Sequence, residues 1–343
     1  MTIFILPLSL FFLSILFLKI TRPFFQKKIF IDKPSERSNH IIPTPKGAGL
    51  ILIPLVIFST LLVFFWDRGH YQEWLPFFIC ALILMIMSFI DDIKNLSSKL
   101  RLTIQLSCVI FSIFFFIDEI KVSSSLLGVL EHTGESKLFL DFFLIILFSI
   151  AWMWIINLFN FMDGMDGITA SQVCIFSLGI NFLSLFDFLD IQFQYLSLII
   201  FSVFFGFFIY NKPPAKIFLG DVGSIPIGYI VGLILIKCIV TNQLFIPLII
   251  LLMYHILDST ITLLFRILKG QNILQAHSTH FYQKILRAGY SHKFVLNKLL
   301  ILYILLFCLS LISTLYPIGS LLTAFILTSS LLRYFSIKSM KNE

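Results

Sequence analysis

Apolar runs long enough to cross a lipid bilayer recur along this 343-residue chain, and they limit its fold more than any other feature. They fall near 2–20, 47–66, 74–90, 102–120, 139–158, 171–186, 193–209, 224–240, 244–265, 299–316 and 318–335. A spanning helix takes roughly 20 mostly apolar residues. The pattern therefore predicts an all-α polytopic membrane protein of about eleven transmembrane helices, or ten if one run is re-entrant. Residues 2–20 have neither a basic n-region nor a small-residue cleavage site, so they read as a first membrane helix and not a removed signal peptide. Charged residues make up 13% of the chain, against roughly 25% in an ordinary soluble domain. A soluble enzyme, a disordered chain, a coiled coil and a nucleic-acid-binding domain are excluded on that ground. The connections are short, so one integral membrane domain is expected over 1–343, with cytoplasmic loops near 21–46, 91–101, 159–170, 210–223 and 267–298.

The basic residues set an orientation. With the N-terminus outside, 21 of the 25 Lys and Arg fall in inside segments, leaving only Arg68, Lys121, Lys137 and Lys237. Such a bias marks the cytoplasmic side, and predicts N-out and C-in. The net charge of +7 then reports topology, not nucleic acid. Cys80, Cys108, Cys174, Cys238 and Cys308 each lie in an apolar stretch without C-x-x-C spacing, and read as packing residues.

Polar residues inside such a chain are costly and mark function. Here they gather in five clusters on the predicted inner side. The first runs from Asp32 to His40 and on through Pro43-Thr44-Pro45-Lys46-Gly47. Its plainer reading is a basic loop against anionic headgroups, but two prolines and a glycine suit close approach to a partner. The second is Asp91-Asp92, followed by Lys94, Lys99 and Arg101. Adjacent carboxylates at a helix end are either solvated and salt-bridged or joined by a cation. Mg²⁺ is a candidate because it commonly takes one or two carboxylates plus substrate phosphates.

The third is Asn157-x-x-Asn160-x-x-Asp163-Gly164-x-Asp166-Gly167, where amides and carboxylates recur every three residues and glycines admit close backbone approach. It lacks the order of an EF-hand loop. The fourth holds Asn211, Lys212 and Lys216, then Gly220-Asp221-x-Gly223-Ser224. Asp221 reads either as a helix cap or, with the lysines, as part of an anion and metal site. The fifth holds His277, His280, Gln283, Arg287 and His292. His277 and His280 would share a face on a helix. Phosphate or sugar contact suits them better than zinc, whose His-Glu-x-x-His pattern is absent. Asp258 and Arg266, eight residues apart on one face, read as support for this loop, with Asp258 structural more than catalytic.

In this order, the clusters resemble the motifs of the polyprenyl-phosphate N-acetylhexosamine-1-phosphate transferase family. Asp32, Pro34, Arg37, His40, Pro43, Thr44, Pro45 and Gly47 match its opening pattern, with Lys46 in place of the usual Arg and Ala48 of an occasional Gly. Asp91 and Asp92 match its aspartate pair. The Asn157–Gly167 and Gly220–Ser224 motifs are complete, and the late histidine motif is partly matched by His277 and His280. The His-x-x-His-x-Tyr-Gln form looks more like the branch that initiates O-antigen or capsule glycans, although Ser278 departs from the Arg that often follows its first His.

The resemblance implies that a polyprenyl phosphate attacks the sugar-linked phosphate of a UDP-N-acetylamino sugar, giving polyprenyl-diphospho-sugar and UMP. By the same resemblance Asp221 is a metal ligand, Asp91 or Asp92 positions or deprotonates the lipid phosphate, and Asp163 and Asp166 complete the metal and nucleotide site. Asn157 and Asn160 would bind substrate as amides, His277 and His280 would contact diphosphate or sugar, and Lys99, Arg101 and Lys212 would hold phosphates. Mg²⁺ is the implied cofactor, with Mn²⁺ as the alternative. The implied setting is a bacterial inner membrane with a cytoplasm-facing site, and a homodimer is admitted. Two alternatives stand beside it: phospho-N-acetylmuramoyl-pentapeptide transferase, and a secondary transporter of an anionic substrate. A transporter would place its charges near the bilayer midplane on broken helices.

Overall fold

The structure is a computed structural model that describes residues 2–27, 30–32, 43–66, 71–118, 120, 135–272 and 277–340. Pro34, Arg37 and His40 of the opening motif lie outside the described residues. Among the described residues twelve α-helices have defined bounds, in chain order: α1 (Thr2–Phe25), α2 (Gly49–Trp66), α3 (Tyr71–Lys94), α4 (Ser98–Phe114), α5 (Glu135–Met162), α6 (Ile168–Leu185), α7 (Ile191–Asn211), α8 (Asp221–Asn242), α9 (Phe245–Leu268), α10 (Phe281–Arg287), α11 (His292–Ile312) and α12 (Pro317–Met340). Two short strands, β1 (Ile31–Asp32) and β2 (Thr44–Pro45), pair antiparallel.

All eleven apolar runs become helices. Among the described residues, ten are long and apolar enough to span a membrane, which makes the chain a multi-pass membrane protein. The exception is α4, 17 residues long, whose first turn carries Lys99 and Arg101 and which gives way to a turn at Phe115. Of the five cysteines, four are buried as expected and none is in a disulfide; Cys308 is exposed instead, on α11.

The centre of the assembly is α8. Residues 222–236 are buried without a break, as expected of a helix apolar on every side. Its glycines decide what can approach it. At Gly232 a Cβ would collide with the Trp152 indole, and at Gly228 with Ile156 and Phe159. So α5 lies closely along α8, and Trp152 donates its indole N–H to the Tyr229 carbonyl at 2.9 Å and stacks on its ring. One turn further along the same contact, Asn160 Nδ2 donates to Ser224 Oγ at 3.2 Å. The sequence 152/232, 156/228, 160/224 is an antiparallel crossing. It brings the C-terminal end of α5, with the third motif, to the N-terminal end of α8, with the fourth.

The first motif is tied to the same place. Gly47 and Ala48 donate their backbone N–H groups to the Phe218 carbonyl, Gly49 donates to Leu219, and Phe218 donates to Pro45. Gly49 meets Gly223 backbone to backbone, with no room for a Cβ on either. The first and fourth motifs are thus paired backbone to backbone.

Candidate active site

Two pockets share a wall at the junction of these motifs. One, of about 220 Å³, is lined by Asp32, Lys46, Asn211, Phe218, Asp166 and His292 among others. The other, of about 410 Å³, is lined by Ser98, Arg101, Gln105, Asn157, His277 and His280 among others. Asn160, Asp163, Gly164, Asp221 and Gln283 belong to both. The second pocket shares Leu102, Asn157 and Phe161 with a third, apolar groove of about 670 Å³ between α4, α5 and α9.

The shared wall is carboxylate-rich because two helix ends meet there. Asp163 follows the last residue of α5, and Asp221 opens α8 after Gly220, whose φ of 74° suits a residue without a side chain. Burial pushes Asp163 up to about 8, helped by the charge of Asp221 and opposed by the nearby polar groups of Thr169 and the Gly220 backbone. The Asn160 amide serves both Ser224 and Asp221. Among the described residues, no three His, Cys, Asp or Glu side chains converge as a closed metal centre. A pair of hard carboxylate donors opening into a pocket is nevertheless what Mg²⁺ uses when substrate phosphates supply the remaining ligands. A divalent cation fits Asp163 and Asp221 on that basis.

The other predicted residues are placed as follows. Asp91 accepts from Arg101 Nη1 at 2.8 Å and from the Leu96 backbone N–H at 2.7 Å, so it closes the α3–α4 turn and holds Arg101, which lines the second pocket. Asp92 accepts from Lys46 Nζ at 2.6 Å. Burial works against the Lys46 ammonium, but the hydrogen bond and charge of Asp92 outweigh it, and Asp221 and Asp32 add to the effect, so Lys46 titrates above its usual range. Neither Asp91 nor Asp92 lines either pocket; each fixes a cation that does. Asp166 is largely engaged by protein: Oδ2 accepts from the Ala215 N–H at 3.0 Å, and Oδ1 lies 3.0 Å from His292 Nδ1. Lys99 and Lys212 are exposed and line neither pocket.

His277 and His280 do come together, with ring centroids 5.1 Å apart, but not on a helix face: α10 begins only at Phe281. Burial pulls His277 down to about 4, and the charges of His280 and Arg266 push the same way.

Gln105 was not singled out from sequence, and Asn211 was named with the fourth cluster but given no role. Asn211 is buried and joins two motifs, accepting from the Gly167 N–H at 2.9 Å and donating to the Ile217 carbonyl at 3.0 Å. Gln105 accepts from Asn157 Nδ2 at 3.2 Å. An amide within an apolar run is a legible signal, whereas nothing local to His292, named with the fifth cluster, marks Asp166 as its partner.

Several known proteins are similar to this chain. Residues 74–239 match the model of glycosyl transferase family 4. A probable undecaprenyl-phosphate N-acetylglucosaminyl 1-phosphate transferase of Bacillus subtilis is 29% identical over 82% of this chain and 75% of its own length. An undecaprenyl-phosphate alpha-N-acetylglucosaminyl 1-phosphate transferase of Escherichia coli is 27% identical, over 83% and 77%. A phospho-N-acetylmuramoyl-pentapeptide-transferase of Kosmotoga olearia is 31% identical, over 61% and 66%.

Proposed function

The chain belongs to the polyprenyl-phosphate N-acetylhexosamine-1-phosphate transferase family, and on that premise we propose how its pockets carry out the transfer. The enzyme moves an N-acetylamino-sugar 1-phosphate from a UDP-sugar to undecaprenyl phosphate. One observation carries the assignment of substrates to places: an apolar groove runs into a polar pocket through Leu102, Asn157 and Phe161, and that pocket runs into a second through Asn160, Asp163 and Asp221. The groove takes the prenyl chain, and its phosphate reaches Arg101, Gln105 and Asn157. The smaller pocket takes the nucleotide beside the Phe218 ring and Lys46. The two phosphates then meet at the shared wall.

There an oxygen of the lipid phosphate attacks the sugar-bearing phosphorus, the bond to the bridging oxygen breaks, and UMP leaves with that oxygen. A phosphate monoester has a second pKa near ~6, so the nucleophile is already ionised at neutral pH. Asp91 and Asp92 therefore serve best as holders of Arg101 and Lys46, which gather the phosphates. Asp163 and Asp221 would hold Mg²⁺, which when bound neutralises the developing phosphate charge. An occupied groove on one side and nucleotide on the other keep water from the reacting phosphorus. Because 21 of 25 basic residues share the predicted inner side and UDP-sugars are soluble, the site faces the cytoplasm, in a bacterial inner membrane.

The test is UMP release by purified protein with undecaprenyl phosphate and a panel of UDP-sugars, including UDP-N-acetylglucosamine and UDP-N-acetylmuramoyl-pentapeptide. Lipid-dependent UMP with an N-acetylhexosamine donor, abolished by a chelator and restored by Mg²⁺, is expected. No UMP with any donor would overturn the assignment.

A further inference from the structure

The transfer as described makes no use of Asp258, a carboxylate with five hydrogen-bond donors around it. Asp258 lies within α9 and is fully buried. A buried carboxylate is expensive unless its oxygens are satisfied, and five donors surround this one. Tyr254 donates its hydroxyl at 3.0 Å and Thr262 at 3.4 Å, both from α9 itself. The other three come from a single turn of the last loop: His280 Nδ1 at 3.2 Å, the Phe281 N–H at 3.0 Å and the Tyr282 N–H at 3.4 Å. That turn opens α10, a helix of seven residues, too short to hold its own shape in water.

The turn is also where the loop meets the pockets. His280 and Gln283 line them, and Gln283 Oε1 accepts the His280 backbone N–H at 3.2 Å. Tyr282 donates its hydroxyl to the Phe161 carbonyl at 3.1 Å, in the third motif, and Gly164 leaves room for that hydroxyl where a Cβ would collide with it. An ionised carboxylate only accepts, so His280 donates from Nδ1, and Nε2 is fixed as the ring nitrogen that can meet a ligand in the pocket.

We propose that Asp258 is a positioning residue of the transfer reaction: from inside α9 it sets the tautomer and direction of His280 and locks the His280–Gln283 turn against the shared wall. This rests on the reading of the pockets given above. The carboxylate touches no substrate, so its effect must pass through His280. Misplacement of a positioned group by about 1 Å can cost roughly 100-fold in rate.

The experiment compares kcat and KM for UMP release in the wild type, Asp258→Asn, His280→Ala and the double variant, with thermal unfolding of each. Asn keeps one acceptor for the backbone N–H groups but offers His280 no second one. Asp258→Asn is expected to lower kcat roughly 100-fold with little change in KM, and to cost less than about 3-fold once His280 is already Ala. Tyr254→Phe removes one donor to Asp258 while keeping the ring packed, and decides the matter if Asp258→Asn does not fold; about a 5-fold fall in kcat, absent in the His280→Ala background, is expected. Wild-type kcat in the variants, or the same fold loss with and without His280, would overturn the proposal. A wild-type protein that releases no UMP would instead overturn the functional reading beneath it.

Discussion

Asp258 and the Asp163–Asp221 pair are carboxylates at one end of the same helix assembly, in opposite surroundings. Five donors converge on Asp258, from α9 and from the turn it holds. Asp163 and Asp221 face one another across a pocket wall, and burial with that like charge pushes Asp163 up to about 8. A carboxylate whose lone pairs are filled by its own chain can organise structure but has little left for a ligand. A carboxylate short of donors and beside another raises the free energy of the resting protein, and a cation or substrate relieves it. Sites of reaction are drawn from the second kind.

Substitutions should separate the two regions. Asp221→Asn and Asp163→Asn are expected to lower turnover by at least roughly 100- to 1000-fold, the scale of losing a main electrostatic contact to a transition state. Both should leave thermal unfolding unchanged or raise it, since each removes one of two buried acids that disfavour each other's ionised form. UMP release and a melting curve in the same detergent check this, and a loss of stability would break the contrast. Asp258→Ala should do the reverse in stability, at a cost of roughly 3–5 kcal/mol as its donors lose their acceptor; an unchanged melting temperature would show that the five hydrogen bonds are not holding the loop.

A smaller effect is expected from the frame around Asp221. Gly49→Ala puts a methyl group into the Gly223 backbone and should cost roughly 1–3 kcal/mol through forced backbone shifts, with activity falling in step. A fully stable variant would show that the first motif does not brace α8. The smallest concerns pH. His277 sits at about 4 in the folded protein, below the ordinary value of about 6.5. Its neutral form is thus favoured by folding, and stability is lost as pH falls from the unfolded value towards the folded one. Between pH 7 and 5 the wild type should lose slightly more melting temperature than His277→Gln; an equal loss would show that folding does not disfavour the charged form of the half-buried His277.

Much of the fold could be read from local pattern. Eleven apolar runs became eleven helices, because burial in lipid demands length and apolarity, and both are local properties. The exception was instructive: α4 stops at Phe114, short of the run that continues to 120. The site was legible as residue types but not as partnerships. Asp91-Asp92 reads as a pair, yet the two carboxylates serve different cations, on α4 and in the first motif. Lys99 and Lys212 carry the right charge near the right motifs and still line neither pocket. His292, 126 residues from Asp166, could not have been paired with it from spacing alone.

The sequence by itself determined a membrane-embedded helical protein, the side on which its polar groups collect, and the order of five motifs matching one transferase family. Only the tertiary structure decided which of those groups meet. That depended on Gly228 and Gly232 letting α5 lie along α8, and on Gly49 and Gly223 letting the first motif close over the fourth. Hydrophobicity is summed along the chain, so it can be read there. Close packing depends on which two surfaces fit, and in this protein those surfaces come from segments 69 to 174 residues apart.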